Sequence, residues 1–139
     1  MRITKEFEFE AAHRLLNYKG DCNNLHGHSY KLFVTITGSK DSLSPQGILM
    51  DFKHLKSAVQ DRVLEEYDHA TIINAEDKAL FQFCLTEKMK HLSLSGNPTV
   101  EIMVQDIWDK LVNVMPTDVV LANIRLYETS TSYCEYNGI

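Results

Sequence analysis

The stretch CNNLHGHSY, residues 22–30, sets a thiol just ahead of two imidazoles, His26 and His28. In an extended strand, side chains two positions apart share a face, so these imidazoles stand side by side. Gly27 between them leaves the opposite face uncrowded. His13 ends an earlier period-two segment, on the face that also carries Phe7 and Phe9. If the two strands pair, the imidazoles of His13, His26 and His28 converge on one point, as a divalent transition metal requires. The plain alternative is separate surface or core histidines, each with its own partner. An H-x-H pattern with a third histidine closing a neighbouring strand favours the metal. Nitrogen as the only ligand atom suits zinc best, ahead of iron, nickel or copper.

Cys22 decides what kind of site this is. With its sulfur on the metal, one cysteine and three histidines close a structural tetrahedron. With the sulfur standing off, the histidines leave the open position of a catalytic zinc, and a thiol of lowered pKa can act there as a general base. Spacing leaves both arrangements open. A second constellation is Tyr67, Asp68 and His69 at the end of a helical segment. The aspartate either fixes the tautomer of its neighbour, as in a relay, or belongs to a solvated helix end. Glu128 follows Ile124 and Leu126 on one face of a strand. Its carboxylate either turns to the sheet interior, where it needs a partner with N–H donors, or faces water at an edge. His54 and His91 read as solvated, Cys84 and Cys134 as packing residues, and Asp51 as a helix cap.

These groups need a scaffold, and hydrophobic periodicity outlines one. ITKEFEFEAAHRL and HGHSYKLFVTITG alternate apolar and polar residues as half-exposed strands do. The turn-rich loop LNYKGDCNN joins them, and SKDSLSPQG reads as a loop or hairpin connection. From the Asp51 cap to about Glu66 the period lengthens, with Phe52, Leu55, Val59 and Val63 as an amphipathic stripe. A weaker helical stretch runs from Lys78 to Met89. A strong one follows Thr99, its expected N-cap, with Val100, Met103, Val104, Ile107, Trp108 and Leu111 on one side and Pro116 closing it. VVLANIRLYETS and TSYCEYN read as two last strands. The order strand, strand, helix, short helix, helix, strand, strand predicts one α+β domain over residues 1–139 with a mostly antiparallel sheet.

Composition narrows the function classes. The 139 residues are 44% hydrophobic and 24% charged, as in a soluble globular domain, and long enough to bury one real core. A net charge of −5 argues against non-specific nucleic-acid binding, although a local basic cluster can still hold a small anion. No apolar run reaches membrane-span length, and MRITKEFEFE has no run suited to a signal peptide. Three cysteines without framework spacing fit reduced thiols in a cytoplasmic protein. No glycine-rich dinucleotide fingerprint is present.

FEAAHRL, C-x3-HGHSY, DH…IIN, NPTVE and a late YET, in that order, resemble the motifs of the 6-pyruvoyltetrahydropterin synthase / 6-carboxytetrahydropterin synthase family. The resemblance covers nearly the whole chain. It implies a tunnelling fold, a four-stranded antiparallel sheet with helices packed on one side, whose subunits form trimers that stack as hexamers with active sites at subunit interfaces. It implies one Zn2+ per subunit on His13, His26 and His28, with Cys22 as proton acceptor and Asp68 with His69 as its relay, which an interfacial pocket would direct to a neighbour's Cys22. Glu128 is similar to the glutamate that anchors the pterin and joins the relay, and Thr99 to a residue of the pterin pocket. The implied substrate is dihydroneopterin triphosphate, with Arg14, Lys19 and Lys31 the nearest cations by sequence. The three-residue spacer between Cys22 and HGH resembles the bacterial carboxy-forming lyases of the queuosine route, which release acetaldehyde, whereas the pyruvoyl-forming animal enzymes have a longer one. The segment from residue 76 to 96 departs from many bacterial members by its length.

The two arrangements around Cys22 separate experimentally. If the thiol is a base, Cys22→Ala stays folded and zinc-loaded but loses most turnover. A closed structural site instead loses its metal and unfolds, so zinc content and melting temperature collapsing together would overturn the catalytic assignment.

Overall fold

The computed structural model describes residues Met1–Ile139. Its two long strands follow from the alternation. β1 (Arg2–His13) buries Phe7, Phe9, Ala11 and His13 and exposes Glu6, Glu8 and Glu10, while β2 (His26–Thr37) buries Tyr30, Leu32, Val34 and Ile36. They pair antiparallel with Phe7 opposite Leu32, Phe9 opposite Tyr30 and His13 opposite His26. Phe9 and Tyr30 stack at 5.0 Å between ring centroids. Such a pair contributes about 0.5–1.5 kcal/mol beyond its buried area.

β5 (Val120–Thr129) continues the sheet beside β2, and β6 (Ser132–Tyr136) pairs with β5. On the other side of β1 the structure departs from expectation. β3 (Ala70–Asn74) pairs parallel to β1, and β4 (His91–Leu94) pairs parallel to β3. The sheet is therefore six-stranded and mixed, in the order β4-β3-β1-β2-β5-β6, not four-stranded and antiparallel. The physical reason lies in ATIIN, whose Ala70, Thr71, Ile72 and Ile73 are all buried. A strand covered on both faces shows no alternation, which is the usual condition of parallel strands. His91 accordingly lies in a strand, its Nδ1 bonded to the Met89 carbonyl at 2.9 Å.

Four helical segments accompany the sheet. α1 (Phe52–Val59) starts at Asp51, whose carboxylate accepts from the Lys53 N–H at 2.8 Å. It runs through a π-helical turn (Gln60–Leu64) into the last α turn, α2 (Glu65–Tyr67). Leu55, Val59 and Val63 bury as the stripe predicts, but Phe52 is exposed. α3 (Lys78–Thr86) is the weaker helix, and α4 (Val100–Val112) buries Met103, Val104, Ile107 and Leu111. Thr99 occupies the N-cap position of α4, but its side chain makes no capping bond. The main core lies between β1, β2, β5 and the α1 and α4 stripes, and includes Ile72 of β3. Ile73, pointing the other way from Ile72, packs with Leu80 and Cys84 of α3. α3 thus covers the opposite face at this edge, and the helices do not all lie on one side.

Arg14, immediately after β1, forks onto Asp77 through Nε at 2.5 Å and Nη2 at 2.6 Å. Asp77 is 2% exposed and also accepts from the Leu80 N–H at the start of α3, at 3.2 Å. The pair ties the end of β1 to the crossover between β3 and β4. The guanidinium holds the Asp77 carboxyl below its ordinary value. A depressed folded-state pKa stabilises above the unfolded value near 3.8, and the gain is lost as pH falls through the folded value. Arg14→Gln therefore lowers stability most at neutral pH, and its deficit against wild type shrinks below pH 3.8. Urea unfolding at several pH values measures this; a deficit independent of pH would make Arg14 a packing residue only.

Candidate metal centre and active site

Register builds the site. His13 and His26 are direct cross-strand partners, and His28 stands two residues along β2 on the same face. A Cβ at Gly27 would lie 3.1 Å from the Ala11 carbonyl oxygen, so a larger residue there would press the two strands apart. The ring centroids are 4.7 Å apart for His13–His26, 5.2 Å for His13–His28 and 5.0 Å for His26–His28. One nitrogen from each ring lies within 4.8 Å of the other two.

The hydrogen-bond partners point to which nitrogen is free. Nδ1 of His13 faces the Pro98 carbonyl at 2.7 Å, and Nδ1 of His26 faces the Asn24 carbonyl at 2.7 Å. A carbonyl only accepts, so each Nδ1 carries the proton and each Nε2 presents a lone pair. Burial above all lowers the His13 pKa, with the other two imidazoles adding and the Pro98 bond and Glu128 opposing, so the ring is neutral at pH 7. Nε2 of His13 and of His28 are buried with no hydrogen-bond partner.

Glu128 points inward. Its Oε1 lies 3.4 Å from His13 Nε2 and 3.3 Å from His28 Nε2, close enough for charge contact but without hydrogen-bond geometry. A carboxylate oxygen facing an imidazole lone pair is two acceptors in opposition, an arrangement that a cation relieves. Orphaned buried nitrogens, backbone-fixed tautomers and an all-imidazole set together fit a divalent transition metal, in the pattern by which outer hydrogen bonds orient metal-bound histidines.

Beside the cluster is a cleft of about 150 Å³ lined by His13, Leu15, Cys22, Thr99, Glu101 and Glu128 among others. Cys22, exposed in a short 3-10 turn (Asp21–Asn23), lines this cleft but is not one of the converging ligand groups. The structure therefore brings together His13, His26, His28, Cys22, Thr99 and Glu128.

Asp68 and His69 form a pair, Nδ1 to Oδ1 at 3.0 Å, but His69 lines a different groove, with Glu10, Gly27, His28 and Met89. His69 is 77% exposed. Its backbone has φ 62°, a left-handed conformation costing a non-glycine residue roughly 1–2 kcal/mol. Contacts to β1 and Lys90 hold it there. The His69 N–H donates to the Glu10 carbonyl at 2.6 Å, the Glu10 N–H to Asp68 Oδ1 at 3.0 Å, and Lys90 Nζ to the Asp68 carbonyl at 2.6 Å.

The sequence-predicted phosphate cations are differently placed. Arg14 is committed to Asp77, and Lys31 sits among Glu6 and Glu8 on the outer face. Pro98 and Glu101 are site residues that pattern reading missed. Both lie in NPTVE, on either side of Thr99.

The chain matches the family model described as 6-pyruvoyl tetrahydropterin synthase over residues 2–139, and it belongs to that family. Among its relatives, it is 37% identical to the 6-carboxy-5,6,7,8-tetrahydropterin synthase of Haemophilus influenzae, over 97% of each chain. It is 28% identical to the human 6-pyruvoyl tetrahydrobiopterin synthase, over 99% of this chain and 91% of that one. The solved structure of the Caenorhabditis elegans 6-pyruvoyl tetrahydropterin synthase superposes with a TM-score of 0.73 at 27% identity, covering 100% of this chain and 96% of that one.

A ligand that binds only the folded state stabilises it by about 2.7 kcal/mol at a hundred times its Kd. Zinc added to metal-free protein at that level raises the melting temperature, and His13→Ala, His26→Ala or His28→Ala each abolishes the rise. An undiminished shift in the triple variant would place the metal elsewhere.

Proposed function

We propose that this chain, as a single domain, is a zinc-dependent 6-carboxytetrahydropterin synthase of the queuosine route. With one water, it converts 7,8-dihydroneopterin triphosphate to 6-carboxy-5,6,7,8-tetrahydropterin, releasing acetaldehyde and triphosphate. The observation that carries this reading is the cluster of three histidines beside a cleft lined by a free thiol and a carboxylate, in a chain 37% identical over nearly full length to a synthase of that name.

His13, His26 and His28 would hold the zinc. When bound there, the ion supplies Lewis-acid polarisation of substrate oxygens, which acidifies the adjacent carbon-bound proton. The remaining steps fall to the chain's own groups. Cys22 removes and returns protons from the rim of the cleft. Glu128 accepts hydrogen bonds from the amino and ring N–H groups of the pterin, a charge-assisted contact that sets its register, and Thr99 closes the pocket beside it. Asp68 fixes the tautomer of His69, which relays the proton. Because Cys22 and His69 line separate cavities of one chain, the relay serves the thiol of a neighbouring subunit, and we infer a homo-oligomer, a hexamer of two trimers, with interfacial active sites.

No helix of the chain is long and apolar enough to cross a membrane. The three free cysteines agree with a cytoplasmic enzyme.

The likeness to the human and nematode pyruvoyl-forming enzymes keeps one second reading, triphosphate elimination without carbon–carbon cleavage. Incubation with dihydroneopterin triphosphate decides between them. The carboxy-forming reading predicts acetaldehyde in equal amount to triphosphate; turnover with triphosphate alone would select the second.

A further inference from the structure

Asn97 sits in the turn that enters α4, and both ends of its amide are engaged. Oδ1 accepts from the Leu16 N–H at 2.8 Å and from Asn74 Nδ2 at 2.9 Å, while Nδ2 donates to the Leu16 carbonyl at 3.1 Å. The two bonds to Leu16 imitate a β-bridge between a side chain and the backbone leaving β1. That backbone carries His13 just upstream. It also carries Leu15, whose N–H donates to the Cys22 carbonyl at 2.8 Å. The residue after Asn97 is Pro98, whose carbonyl meets His13 Nδ1 at 2.7 Å. Thr99, next again, lines the cleft.

Proline adds stiffness to this arrangement. Its ring fixes its own φ and confines the preceding residue to extended conformations. The Thr99 N–H donates to the Asn97 carbonyl at 2.7 Å, a three-residue turn around Pro98 that fixes its ψ, so the direction of the Pro98 carbonyl follows from where Asn97 is anchored. An amide tying two loops together would stabilise the fold at many places. Here the tied segments are the turn whose Pro98 carbonyl meets His13 Nδ1 and the backbone after β1 that holds the thiol loop.

We propose that Asn97 is the positioning residue of this site: its amide aims the Pro98 carbonyl at His13 Nδ1 and anchors the Leu15–Cys22 contact, so that His13 Nε2 and the Cys22 thiol share one cleft. The inference rests on the metal-centre reading above. It deepens that reading by giving the site a residue that touches neither metal nor substrate. Outer groups that orient a ligating histidine change metal affinity or activity by about 10–100-fold when removed.

In Asn97→Ala, zinc affinity of the folded protein, measured by competition with a chromogenic chelator, falls by about 10–100-fold. The visible absorption of its Co2+ form also changes shape, because the His13 ring is no longer held. Tyr67→Phe is the stability control. It removes the Tyr67 hydroxyl's bond to Asp106, 2.6 Å long, outside the cleft, and lowers melting temperature without altering zinc affinity or the cobalt spectrum. Wild-type protein that binds no zinc overturns the metal-centre reading itself. Wild-type binding matched by Asn97→Ala, with the same cobalt spectrum, overturns the role of Asn97 and leaves that reading standing. Should Asn97→Ala fail to fold, Asn97→Ser decides by the same two measurements.

Discussion

The antiparallel register of β1 against β2 is the constraint on which the rest of this structure depends. It sets Phe9 opposite Tyr30 in the core and His13 opposite His26 at the strand ends. Side chains alternate faces, so a slip by one residue would send Phe7, Phe9 and His13 to the outer face and bring the glutamates inward. The same periodicity that buries the core therefore gathers the imidazoles. Fold stability and site geometry are coupled because one hydrogen-bond ladder serves both.

Burial then shapes the chemistry of what the register assembles. His13 is almost fully enclosed, which favours its neutral form, and backbone carbonyls hold the protons of His13 and His26 on Nδ1. Lone pairs on the inner nitrogens and the carboxylate of Glu128 face a common space. Such a group of acceptors is costly without a cation and well suited to one. The same burial, followed by the charge of Glu128, raises the Tyr30 pKa, so its phenol stays protonated beneath the cluster.

The site's outer parts depend on longer-range ties. The loop after Leu94 brings Asn97, Pro98 and Thr99 against the end of β1, and the Arg14–Asp77 pair fixes the crossover that carries α3. The segment from residue 76 to 96 forms that crossover and adds β4 to the sheet edge. The strained turn at Asp68 and His69 is fixed from both sides, by β1 and by Lys90. On the reading proposed here, the face that displays this turn meets a neighbouring subunit.

Alternation and helical period determine much of this protein before any tertiary contact forms. The two long strands, the Asp51 cap, the α1 and α4 stripes, and the convergence of His13, His26 and His28 follow from local spacing, because each rests on contacts within one element or across one predictable pair. Spacing did not reveal β3 and β4, since ATIIN is buried on both faces and HLSL is too short to show a period. It left Glu128 undecided between core and water, and it could not separate Cys22 from Asp68 and His69. Nor could it show that Arg14 is committed to Asp77, or that a proline carbonyl holds His13. Those outcomes depend on residues distant in the chain meeting in space. Only the tertiary structure decides which polar group finds which partner, because a buried donor or acceptor is satisfied by position and not by sequence neighbourhood.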